Sequence, residues 1–335
     1  MDIGKIPKNI LEALLSSIPI LESCDTRYGP AIGEDCAILN LNGENLLIGS
    51  DPITFPTTNP GWHSVIINSN DIAASGGTPR WYLATILMPP HSNQNEFSQI
   101  FEDVVSTCVN MGIQLVGGHS EITNAVRHPI VSGSMIGLAT DSQVKPTCNA
   151  RLNDNIFLTK YCPIEGINII VSQLPELLKK ANLSESNIKN LEIIASNNNM
   201  SILPEAALLR ELLEVHSMHD PTEGGIANAI HELLSASQLG GLIYETSLPI
   251  PDTFANLCSV SNINPLGLIA SGSLLFTASP DMTNDILSLL AEHDINCSVI
   301  GRTLPAHKGI QLATSDSKVS MPLPYFDSDE LTKIT

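Results

Sequence analysis

Positive charge is scarce in this 335-residue chain, where 16 Lys and Arg stand against 35 Asp and Glu for a formal net charge of −19. A field of that sign repels phosphate backbones and anionic headgroups, which argues against nucleic acid or an anionic membrane as a partner. An anionic ligand would need local help from metal ions, backbone N–H groups or a few placed cations. No stretch of about 18 uninterrupted apolar residues occurs, so no membrane span is expected. Lys5, Lys8 and Glu12 interrupt the first twenty residues, which do not read as a signal peptide. The seven cysteines are odd in number and lack any Cys-x-x-Cys pair. They fit reduced thiols of a cytoplasmic protein better than a disulfide framework or a zinc site. Short-period repeats and low-complexity tracts are missing. So are the Walker GxxxxGK[ST], the dinucleotide GxGxxG, the GxSxG elbow and HExxH. His63, and His216 with His219, do not stand at metal-ligand spacing.

Apolar residues make up 43% of the chain, enough for a core in each of two domains, drawn here as 1–147 and 148–335. Apolar spacing predicts a helix over 6–18, strands at 36–41 and 45–50 around Asn42-Gly43, and a helix over 61–76. In the last of these, Trp62, Val65, Ile66, Ile72 and Ala73 form the core face, while Asn68, Asp71 and Ser75 fall on another. Strand 81–88, helix 95–110, strand 113–116 and strand 130–139 complete the first half. The second half reads as strand 155–159, helix 164–178, an unassigned polar stretch 181–201 and a helix behind Pro204. A loop at Met218–Gly225 then opens helix 226–234, followed by strands near 241–246, 273–278, 297–301 and 309–312 and a helix at 281–292. Strands and helices do not alternate strictly, so the class is α+β in both halves.

Three carboxylates stand at element ends: Asp35 in Gly33-Glu34-Asp35-Cys36, Asp51 after strand 45–50, and Asp71 beside Asn70 late in a helix. Mg²⁺ takes hard oxygen ligands, one or two carboxylates with phosphate oxygens and water, and such a trio suits a magnesium–nucleotide site. Taken singly, Asp35 and Asp51 read as turn formers and Asp71 as a solvated helix residue. Gly117-Gly118-His119-Ser120-Glu121 follows a strand, where a glycine pair brings N–H groups to a phosphate; alone, glycine pairs mark turns. His119 reads either as a base or phosphate partner, or as a structural loop histidine. Asp220-Pro221-Thr222-Glu223-Gly224-Gly225 enters a helix whose free N–H groups favour an anion, or serves as an ordinary N-cap.

Together these stretches resemble the superfamily of AIR synthase, the hydrogenase maturation protein HypE, thiamine-monophosphate kinase and selenophosphate synthetase. Gly33-Glu34-Asp35-Cys36-Ala37 resembles the G-[DE]-D-A loop, Ser50-Asp51 the strand-end aspartate, and Asn70–Gly76 the N-D-[VIL]-A-x-x-G helix. Gly117–Glu121 is similar to the G-G-[HE]-T loop of the AIR synthase branch, and Asp220–Gly225 to the D-P-T-R-G-G of HypE. Five motifs in family order are far more specific than any one, and the nearest overall likeness is to an AIR synthase-related, HypE-like group.

The resemblance implies a two-domain PurM-like fold. Strands of the amino-terminal domain would form an intersubunit β-barrel in a homodimer, beside a carboxy-terminal α/β sandwich domain. It implies ATP and Mg²⁺ as cofactors. Asp35, Asp51 and Asp71 would hold the metal, with Asn70 in support and Asp51, Asp71 and His119 as catalytic candidates. Gly117, Gly118 and Ser120 would line the nucleotide, and Asp220, Thr222, Gly224 and Gly225 the substrate side. The chemistry implied is γ-phosphoryl transfer to an oxygen of a small molecule, asking chiefly for positioning and charge stabilisation. Lys160 and Arg80 are candidate phosphate cations by proximity to motifs. Three departures stand against a full transfer of function. The tail Asp329–Thr335 lacks the carrier cysteine of HypE, Gly4-Lys5 is all that remains of the selenophosphate synthetase loop, and Glu223 stands where HypE has arginine. Three readings follow: an ATP-dependent enzyme of unassigned substrate, a non-catalytic ATP-binding scaffold with a hydrogenase-maturation partner, and AIR synthase (phosphoribosylformylglycinamidine cyclo-ligase).

Overall fold

A computed structural model describes residues 5–19, 25–55, 57–314 and 320–334. In chain order its elements are helix α1 (Lys8–Leu15), strands β1 (Thr26–Tyr28), β2 (Ala37–Leu41), β3 (Glu44–Gly49) and β4 (Pro52–Ile53), and helix α2 (Pro60–Ala74). Then come β5 (Thr78–Met88), α3 (Gln94–Asn110), β6 (Gln114–Ile122), β7 (Ile130–Ala139), β8 (Asn155–Thr159), α4 (Ile164–Gln173), α5 (Pro175–Lys180) and α6 (Glu185–Ile194). The remainder is α7 (Asn197–Met200), α8 (Leu203–Leu209), β9 (Val215–His219), α9 (Gly225–Ala236), β10 (Leu239–Tyr244), α10 (Asp252–Ser261), β11 (Leu275–Ala278), α11 (Thr283–Ala291), β12 (Cys297–Pro305), β13 (Ile310–Ala313) and β14 (Ser320–Pro322). Contacts divide the chain into two units. The first holds 23–29 and 35–144, the second 1–22, 30–34 and 145–335, as far as these residues are described.

In the first unit a mixed sheet runs β1-β2-β3-β7-β5-β6, with β4 also paired to β7. Asn42 (φ 54°) and Gly43 (φ 91°) make a two-residue turn, and Leu41 pairs with Glu44 across it. Such a turn needs positive φ at both central positions, which Asn-Gly supplies. Helix α2 lies in the core with Val65 and Ile72 among Leu47, Tyr82, Ile86, Val131 and Met135. It is buried on every side, Trp62 alone being partly open. Asn68, Asn70 and Asp71 are therefore interior, not a solvated face, and the reading of Asp71 as a surface residue is overturned. The polar groups are satisfied inside: Ser64 Oγ lies 2.6 Å from Tyr82 OH, and Ser69 Oγ donates to Val65 O at 2.6 Å.

One expected loop is a strand. Gly117–Glu121 lies inside β6, parallel to β5, with Gly118 opposite Ala84 and His119 opposite Thr85. Gly118 sits at φ 146°, and a Cβ there would run into the Ala84 backbone. Close strand approach accounts for that glycine. Likewise α1 is shorter than expected, and its stripe of Ile6, Ile10, Leu14 and Ile18 is exposed rather than buried.

The second unit has a sheet ordered β14-β13-β10-β12-β8-β11-β9, antiparallel except for β10 with β13. Phe157 of β8 and Phe276 of β11 stack at 4.8 Å in its core. Pro175 ends α4 and starts α5 where one helix was expected, because proline denies the ladder its N–H. The unassigned 181–201 stretch holds α6 and α7; α10 was not anticipated, and β9 occupies the start of the expected 218–225 loop.

Candidate active site

In the first unit three elements bring carboxylates around Cys36, at the start of β2. Its thiol is pushed well above the ordinary cysteine range by burial first, then by the negative charge of Asp71, with smaller effects from Asp35 and Asp51; a Ser75 hydrogen bond opposes them. Gly49 marks the same point, since a Cβ there would lie 3.2 Å from Cys36 Sγ and 3.4 Å from both Asp35 O and Asp71 Cβ. The end of β3, the turn before β2 and the late part of α2 therefore meet. Among the described residues no three His, Cys, Asp or Glu side chains are gathered closely enough to hold an ion by themselves. Mg²⁺ needs only one or two carboxylates when phosphates and water complete its shell, and this donor set fits an ion shared with a nucleotide.

Asn68 is the residue that sequence reasoning undervalued. Its Oδ1 accepts from Asp51 N at 2.9 Å, and its Nδ2 donates to Asp51 O at 3.1 Å and to Ser64 O at 2.8 Å. Gly133 N also donates to Asp51 O at 2.9 Å. Both peptide groups of Asp51 are thereby held by buried partners. Asn68→Ala strands the partly buried Asp51 N–H and is expected to lower stability by about 2 kcal/mol. Denaturant unfolding measures this, and an unchanged midpoint would contradict it. Glu34, by contrast, is structural: its carboxylate accepts from Thr147 N at 3.1 Å and Cys148 N at 2.9 Å.

His119 is exposed on β6, its Nε2 3.1 Å from Glu121 Oε2. Gly117 and Ser120 are exposed on the same strand. Arg80 is exposed on β5. Lys160 drops out as a phosphate cation, because its ammonium donates to Asn199 O (3.0 Å) and Ser201 O (2.8 Å) and pairs with buried Glu205 at 2.8 Å. Three donors are all that a lysine has.

The second unit carries the other motif. Asp220 is buried just beyond β9, and Thr222 O accepts from Gly225 N (3.0 Å) and Ala270 N (3.3 Å). Gly224 (φ 81°) and Gly225 (φ 68°) both need left-handed backbone, and a Cβ on Gly225 would press on the Leu268 carbonyl at 2.6 Å. Three distant residues join them without a local signal. Lys5 Nζ lies 3.2 Å from Thr222 Oγ1 and 3.8 Å from Glu232 Oε1. Gly224 N donates to Asp329 Oδ2 at 2.9 Å. Glu165, in the first turn of α4, is buried and raised to about 7, by desolvation first and then by the Asp329 and Glu223 charges, against a Ser271 hydrogen bond.

Two family models match this chain, the amino-terminal domain of AIR synthase related protein over 33–139 and its carboxy-terminal domain over 178–312. The chain belongs to the AIR synthase related protein family. The first AIR synthase related match opens at the Gly33 loop and closes on the last residue of β7. A putative hydrogenase expression/formation protein of Methanocaldococcus jannaschii is 24% identical over 97% of this chain and 95% of its own length. The crystal structure of Escherichia coli HypE superposes with a TM-score of 0.75 over 98% of each chain at 19% identity. HypE in complex with ATP gives 0.72 over 90% of this chain and 91% of the other at 20% identity. The α+β, two-domain PurM-like architecture expected from the motifs is the one these AIR synthase related structures share.

Proposed function

We propose that this member of the AIR synthase related family is a Mg·ATP-dependent enzyme that transfers the γ-phosphoryl group to an oxygen of a small molecule. The observation that carries the reading is the close approach of Cys36 Sγ, the Asp35 backbone and the Asp71 Cβ at Gly49, two residues before Asp51. The carboxylates would take Mg²⁺ together with the phosphates, and the metal would neutralise charge building on the γ-phosphoryl group. Asn68 holds the Asp51 backbone, and Asn70, buried beside Asp71, supports the cluster. Gly117, Gly118, Ser120 and His119 are assigned to the nucleotide side from the motif likeness, and Asp220, Thr222, Gly224 and Gly225 to the acceptor side. An amide, carbamoyl or phosphate oxygen is the acceptor class, the P–O bond to ADP breaking as the new one forms. The ATP-bound HypE structure supports nucleotide binding by this fold. Strand β6, an open sheet edge with Val116 and Ile122 exposed, supports a homodimer.

A second reading, an ATP-binding scaffold that serves a hydrogenase-maturation partner, is favoured by the description of the M. jannaschii relative and by Glu223 in place of arginine. Release of ADP from Mg·ATP, assayed against panels of amides, carbamoyl compounds and phosphate esters, separates the two. The enzyme reading expects one compound to raise turnover, with the effect lost in Asp51→Asn. Magnesium-dependent ATP binding with no turnover across the panels would favour the scaffold.

A further inference from the structure

A cavity of about 520 Å³ opens in the second unit, where the loop after β8 meets α7, α8 and the turn before β12. It shares no residue with the carboxylates near Gly49 or with the Asp220–Gly225 loop. Tyr161, Pro204 and Leu208 give it an apolar wall, and Ser201, Glu205 and Asp294 are polar groups on its lining. Apolar walls with a few converging polar groups, at this volume, are the usual make-up of a small-molecule site.

Part of the lining is an ion pair already taken out of water. Glu205 is 1% exposed, and Lys160 Nζ lies 2.8 Å from its Oε1. The same ammonium donates to Asn199 O at 3.0 Å and Ser201 O at 2.8 Å, which uses all its donors. Thr159 Oγ1 also donates to Oε1, at 3.1 Å, so both partners of the carboxylate crowd one oxygen. Oε2 takes no hydrogen bond from the described residues, and a carboxylate oxygen withdrawn from water is costly without a donor. A buried pair of this kind contributes less to stability than packed apolar side chains of similar volume. Lys160 also holds φ 54°, a left-handed backbone that a long side chain rarely adopts. Neither feature is what stability alone would select.

The sign of the ligand follows from the donors and acceptors. Glu205 Oε2, the Asn199 and Ser201 carbonyls with their second lone pairs, and the exposed Asp294 carboxylate all accept. The one ammonium is spent, and the exposed Asn198 and Asn296 amides can serve either sign. With His293 counted neutral, Lys160 cancels Glu205 and Asp294 leaves the lining net negative. An anion finds no unspent cation here, whereas a cation rich in N–H finds partners for its head. Its stem has Pro204 and Leu208 to lie on, and Tyr161 offers an aromatic face to the charge. We propose that this cavity binds a small organic cation, a primary ammonium on a short apolar stem, with Glu205 as its buried anchor and Asp294 as an outer charge. The proposal does not rest on the phosphoryl-transfer reading.

An NMR titration of the full chain tests it, with n-butylammonium chloride as the probe. Butyramide and sodium butyrate, of matching length, are the controls at equal ionic strength. The backbone amides of Tyr161, Ser201 and Asn296 should shift and saturate with butylammonium at about tenfold lower concentration than with butyramide, because a charged donor makes the stronger hydrogen bond. Butyrate should leave them unmoved. Glu205→Gln should weaken butylammonium binding about tenfold. Should that variant fail to fold, Asp294→Asn carries the test, since the residue is exposed and its φ of 58° is one that asparagine tolerates. A roughly threefold loss is expected there, the size proper to an exposed charge. Equal response to butylammonium and butyrate would overturn the proposal. So would shifts that never saturate at these three amides, or unaltered affinity in a folded Asp294→Asn protein.

Discussion

Asp71→Asn is expected to weaken Mg·ATP binding about a hundredfold, which calorimetry reads as a loss of about 2.7 kcal/mol. Asparagine preserves size and one acceptor oxygen, so the fold around α2 should persist; what would disappear is the charge proposed to face Mg²⁺. An ion held by only one or two protein carboxylates cannot lose one cheaply. The loss should be confined to titrations containing Mg²⁺. Stability should move the other way. Asp71 is buried, and its Cβ comes close to Gly49 together with the Asp35 backbone, two residues before Asp51. Removing one of three like charges should stabilise the ligand-free protein by about 1 kcal/mol, the trade-off typical of functional sites. Unchanged nucleotide affinity in a folded variant would remove the metal assignment.

Glu165→Gln should raise stability at alkaline pH by about 3 kcal/mol and leave it unchanged near pH 4.5, a difference set by a carboxyl at about 7 in the fold and 4.5 when unfolded. Between those values the folded chain binds the proton and the unfolded chain does not. The stability that protonation contributes is fully present below pH 4.5 and is lost as pH rises through 7. Asp329, raised to about 6, slopes in the same direction over a lower range. These two carboxyls should therefore lower wild-type stability from pH 5 to 8, against the rise contributed by His63 and His231, whose values burial lowers, and the variant should flatten the upper part of the carboxyl contribution. Parallel pH profiles in denaturant unfolding would show that Glu165 is already ionised inside the fold.

The motifs were legible because each combines a local backbone demand with a charged group. Asn42-Gly43 supplies two positive φ values, and the sequence around Asn70-Asp71 keeps helical spacing. Burial was not legible, since α2 is enclosed on all sides and its polar residues, read along the helix, look like a solvated face. The loop expected at 117–121 is a strand for a related reason: a glycine pair suits a turn and a close strand pairing alike, and only the register with β5 tells which. Asp329, Lys5 and Glu165 carried no pattern at all. Asp329 reaches Gly224 across 105 positions, and Lys5 reaches Thr222 across 217, contacts that tertiary packing alone creates. Asn68 stood in view as a helix residue, but its value lies in the Asp51 peptide it grips.

A structure of the protein with Mg²⁺ and a non-hydrolysable ATP analogue tests the central claim most directly. The account predicts an octahedral ion about 2.1 Å from a carboxylate oxygen of at least one of Asp35, Asp51 and Asp71, with β- and γ-phosphate oxygens on its other positions. A nucleotide bound with its phosphates away from Cys36, or an ion that none of these three carboxylates touches, would contradict it.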